Sequence, residues 1–105
     1  MSQDYYLASV LDDIKNELRS DVRYEILPLD IQARVMKAVY ILKRLHSMKS
    51  LIIATEKKRK SLLTFNKAAI TKEEQDYKFE YEKLEKEYLE LIESISKDIK
   101  SRYNL

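Results

Sequence analysis

"VMKAVYILKRLHSMKSLIIATEKKRK", residues 35–60, is the stretch on which the fold turns. Apolar residues recur through it, and just before it, at helical spacing. Ile31, Val35, Ala38, Leu42 and Leu45 form one stripe, and Met36, Val39, Tyr40 and Ile41 widen it. A helix this broadly apolar is a central one, covered on several sides. Its start falls at Leu29 or Asp30, because Pro28 disfavours helix at Leu27 and an aspartate can cap free backbone N–H groups. Two courses are open to it: unbroken to about Lys60, or bent near "HSMKS", residues 46–50. The segment "LLTFNKAA", residues 62–69, reads as its exit and a connection.

Upstream, a first helix starts near Ser2 or Asp4. Leu7, Val10, Leu11, Ile14 and Leu18 line one side, with Asp12, Asp13, Lys15, Asn16 and Glu17 opposite. The stretch "RSDVRYEILP" then breaks the pattern. Downstream, "ITKEEQ" offers Thr71 as N-cap and Glu74 at N3, the spacing of a capping box. Tyr77, Tyr81, Leu84, Tyr88, Leu91 and Ile95 follow in alternating steps of four and three, a heptad seam. Phe79, Leu89, Ile92 and Ile99 add a second apolar strip. The chain has no glycine and one proline, so tight turns are few. Together these patterns predict an all-α fold, a small bundle of three to five long helices in a single domain over residues 1–105.

The totals bound the function. A chain of 105 residues supports a core of limited stability, so contacts with partners matter to it. Without cysteine there is no disulfide framework and no thiolate metal site. No run of 18 uncharged apolar residues spans a membrane, and the acidic N-terminus is not a secretory signal. The expected location is the cytoplasm, with the nucleoid, or the nucleus. The abundance of Lys, Glu, Ile, Leu and Tyr, against three Asn and three Gln, resembles the composition of proteins from hot environments.

Catalysis has little to build on. His46 is the only histidine, and a lone helical histidine is ordinarily structural. Without glycine there is no loop to cradle a phosphate. Pairs such as Asp12/Asp13 and Glu73/Glu74 read first as solvated faces and second as sites for a hard cation. The expectation is a non-enzyme with no cofactor and no metal.

Charge is segregated. Residues 1–30 hold three cations and seven acids, net −4; residues 31–67 hold ten cations and one acid, net +9; residues 68–105 hold seven cations and ten acids, net −3. Lys49, Lys57, Lys58, Arg59 and Lys60 are therefore candidate contacts for DNA or a protein partner. Phosphate contacts of this kind give salt-sensitive affinity without sequence information. The alternative is neutralisation by the acidic helices on either side, although four consecutive cations cannot all face acidic neighbours. The seam of Tyr77, Tyr81, Leu84, Tyr88, Leu91 and Ile95 likewise has two readings, as core or as a subunit interface, where tyrosine is enriched.

From Val39 to Tyr88 the sequence resembles the helical A domain of GINS subunits, closest to the one/five branch and of archaeal type. GINS is the replication complex that joins the MCM helicase. The shared features are the Tyr-x-x-x-Arg-Leu pattern from Tyr40 to Leu45 running into a basic stretch, the Ile-Thr-Lys-Glu-Glu start at Ile70–Glu74, and the long last helix. "LPLDI", residues 27–31, sits where the family opens a helix with Leu-Pro, an acid and an apolar residue. The likeness covers roughly residues 10 to 100. The family's basic stretch is rich in arginine and this one is mostly lysine; the β-rich B domain of typical members is not expected here.

The resemblance implies a non-catalytic scaffold in a hetero-oligomer with other GINS subunits. Its further partners would be MCM and a RecJ-like or Cdc-type protein, with the basic segment facing DNA or an acidic surface. The competing reading is a small helical nucleic-acid-binding protein, a homodimer through its tyrosine seam, that uses residues 57–60.

Overall fold

A computed structural model describes residues 3–61 and 67–104. It contains three α-helices: α1 (Gln3–Leu18), α2 (Leu29–Ser61) and α3 (Lys67–Tyr103), with a 3-10 turn at Tyr24–Ile26. There is no strand among the described residues. The fold is all-α, at the lower end of the expected helix count. α2 runs unbroken through "HSMKS", which contains no glycine or proline to bend it. The chain forms two compact units, Met1–Lys43 with Glu87–Leu105, and Arg44–Lys86.

In the first unit, α1 turns Val10, Ile14 and Leu18 into the core, with Leu7 and Leu11 half-buried beside them. Arg19 ends the helix at φ 57°, in the left-handed region, and its N–H donates to the Lys15 carbonyl at 2.6 Å. A glycine would ordinarily take this position; an arginine does so here. Val22 and Leu27 are buried on either side of the 3-10 turn. Pro28 then opens α2, its carbonyl accepting from the Gln32 N–H at 2.9 Å. Gln32 Nε2 donates back to the Tyr24 carbonyl at 2.9 Å and fixes the corner.

Ile31, Val35, Ala38, Val39 and Ile41 of α2 meet this core, as do Tyr88, Ile92, Ile95 and Ile99 of α3. Tyr40, expected to widen the apolar stripe of α2, lies outside it and is 60% exposed. One residue is 100° of helix, and the step from Val39 to Tyr40 carries the ring out of the core. Ser96 is buried among these residues, and its hydroxyl donates to the Ile92 carbonyl at 2.8 Å. Arg34 bridges to Asp98 at 2.7 Å, and Arg102 to Asp98 at 2.9 Å and to Asp30.

The second unit is the end of α2 and the start of α3. Leu45, Met48, Thr55, Ile70 and Glu74 are its buried residues among those described. Two helical segments offer each other one face apiece, so Tyr77, Tyr81 and Leu84 are only half-buried. Here the capping-box expectation fails. Helix already runs through Lys67–Ile70, so Thr71 lies inside α3 and is not its N-cap. Ala68 and Ala69 are strong helix formers, and burial of Ile70 anchors the added turn. Of the expected connection, residues 62–66 lie outside the described residues, and Lys67–Ala69 belong to α3.

Candidate functional site

The basic run lies at the C-terminal end of α2, with Lys58, Arg59 and Lys60 in its last turn. Cations there face the negative end of the helix dipole, a stabilising placement that is independent of any ligand. Two of the four also have acidic partners. Arg59 Nε meets Glu74 Oε2 at 2.8 Å, and Lys60 Nζ meets Glu56 Oε1 at 3.1 Å, one helical turn away. Glu74 is nearly enclosed and also binds Lys78 at 3.0 Å. Its hydrogen bonds to Lys78 and then to Arg59 hold its carboxyl below the usual carboxylate range. Glu74, expected at N3 of the capping box, instead ties α3 to α2. Lys49, Lys57 and Lys58 are exposed, and no ion pair joins them to another described residue.

The tyrosine seam divides by position. Tyr88 and Ile95 are buried in the first unit, with Leu91 half-buried. The Tyr88 hydroxyl donates to Asp13 of α1. Burial first, and then this bond to a carboxylate, push the phenol well above its ordinary value. Tyr77, Tyr81 and Leu84 are half-buried in the second unit. Tyr77 donates to Glu73 at 2.9 Å, which raises its phenol as well. The second apolar strip also splits. Ile92 and Ile99 are core, while Phe79 is 72% and Leu89 59% exposed.

His46 is half-buried on α2 and borders an open hollow with Lys49, Ser50 and Ile53. A second cleft, lined mostly by apolar atoms, lies in the first unit between residues 20–27 and Ile99 and Tyr103. Among the described residues there is no group of three or more side chains able to hold a metal ion. No helix there is long and apolar enough to cross a membrane.

Asp13 and Asp30 carry roles that the sequence did not flag. Asp30 was expected only near the start of α2; it also binds Arg102 of α3, whose hydrogen bond lowers the Asp30 carboxyl. Such links join residues more than 70 positions apart, and no local pattern announces them. The Glu74–Lys78 pair, by contrast, has the i, i+4 spacing that a sequence shows directly.

Comparison with protein-family profiles, with curated protein sequences and with solved structures finds no match to this chain.

Proposed function

We propose that the chain is a non-catalytic assembly subunit, a helical scaffold that works by contact with other proteins. The exposed Leu51, Ile53 and Phe79 support this reading: three large apolar side chains stay uncovered on a unit only two helical segments thick. The resemblance around Tyr40–Leu45 and Ile70–Glu74 supplies the setting, a GINS-like complex acting with MCM and a RecJ-like or Cdc-type protein. Purification from its own cells under gentle conditions, with the companions identified, tests both levels. A second small helical subunit with MCM is the expected outcome. Recovery of the chain without companions refutes the assembly reading, and companions unrelated to replication refute the setting alone.

A second reading, nucleic-acid binding through residues 57–60, is supported by the uncompensated Lys57 and Lys58. Because Arg59 and Lys60 already have acidic partners, Lys57→Ala with Lys58→Ala should lower the DNA salt slope by about 2, not 4. An unchanged slope counts against it.

A further inference from the structure

Two exposed stripes of this chain match each other. On α2, Lys49, Ile53 and Lys57 follow at steps of four residues; Ile53 is 45% exposed and both lysines are without an ion pair to a described residue. His46 and Lys60 extend the same face by one turn each way, Lys60 holding Glu56. On α3, Glu85, Leu89 and Glu93 follow at the same steps, all exposed. Glu93 holds Lys97 at 3.1 Å, an i, i+4 pair in which both side chains are mostly exposed. A step of four residues advances about 6 Å along a helix. Each stripe is thus an uncovered aliphatic side chain with a charge about 6 Å to either side, cationic on α2 and anionic on α3.

We propose that these stripes are one interface: the Lys49–Ile53–Lys57 stripe of one copy docks on the Glu85–Leu89–Glu93 stripe of a second copy. Ile53 meets Leu89, and the two lysines meet the two glutamates whether the helices run parallel or antiparallel. Nucleic acid fits the α2 stripe less well. A phosphate backbone gains nothing from Ile53, and the run's arginine, the side chain suited to bidentate phosphate contacts, is engaged with Glu74. A lipid surface fits less well too, because one isoleucine is a small apolar face for membrane binding. The contact is heterologous, with different patches on the two copies. It is also small, so it forms at high protein concentration and weakens with salt.

The test uses the whole chain. Sedimentation equilibrium should show concentration-dependent association that is lost in about 1 M salt, where screening is nearly complete. Lys49→Glu with Lys57→Glu should abolish it, and so should Glu85→Lys with Glu93→Lys, since each variant faces itself with like charges. Mixing the two variants restores complementarity and should restore association. Circular dichroism confirms that each variant is still helical. Because the chain has no cysteine, Ile53→Cys mixed with Leu89→Cys should form a disulfide-linked pair under mild oxidation. Ile53→Cys mixed with Ser101→Cys should form several-fold less. No restoration on mixing, or equal cross-linking in both mixtures, overturns the proposal. A wild-type chain that stays monomeric while Lys49 and Lys57 control DNA binding overturns it in favour of a nucleic-acid contact.

Discussion

The bond from Tyr88 to Asp13 joins the last helix to the first across 75 positions, and its strength can be measured directly. Tyr88 is 6% exposed, whereas Asp13 is half-buried. The two ends therefore respond differently to loss of the partner. Tyr88→Phe leaves a carboxylate that water can reach, and should cost about 1 kcal/mol. Asp13→Ala leaves a phenol hydroxyl without its acceptor at a buried position, and should cost about 2 kcal/mol. In the double variant neither group is stranded, so a coupling energy of about 1–2 kcal/mol is expected. Urea unfolding at neutral pH, followed by circular dichroism, supplies all four corners of the cycle. A coupling below about 0.5 kcal/mol refutes the reasoning. So does the opposite order of the single variants.

Tyr88 adds a pH signature. Its phenol is raised in the folded chain, chiefly by burial, so the unfolded chain ionises first. The stabilisation is complete below the unfolded value of about 10 and is lost as pH rises from there toward the folded value. Tyr88→Phe should flatten this alkaline decline.

Ile95 has no exposed surface, and Ile95→Ala should lower stability by about 3 kcal/mol, read as a shift of the urea midpoint at unchanged slope. Glu74 has a lowered carboxyl, so its contribution is present above the unfolded value of about 4.3 and is lost as pH falls through the folded one. Glu74→Gln should therefore be less destabilised than the parent chain on moving from about pH 5.5 to about pH 3, measured by urea midpoints at both.

The helices were legible because periodicity is local. Val10, Ile14, Ile31, Val35 and Ala38 sit where their spacing placed them, in the core. The start of α3 was misread because a capping box is a short pattern, and two alanines with a buried isoleucine outweigh it. The division of the seam was not legible. The heptad places Tyr77 and Tyr88 on one seam, but α1 packs in the unit of Tyr88 and not in that of Tyr77. The partners of the basic run were half legible. Glu56 lies one turn from Lys60, while the Arg59–Glu74 pair depends on α3 lying beside α2.

The left-handed arginine after α1 has a consequence for how that helix stays in place. A side chain with a β carbon at this φ disfavours the corner by about 1 kcal/mol. A 16-residue helix also draws most of its stability from the packing of its apolar face. The turn thus works against α1, and α1 persists through Val10, Ile14, Leu18 and the Asp13 link. Of the helices in the first unit, it is therefore the one expected to open at the lowest free energy. Its amides would be the first of that unit's helices to exchange with solvent, and whatever competes for its apolar side decides whether it is docked or released.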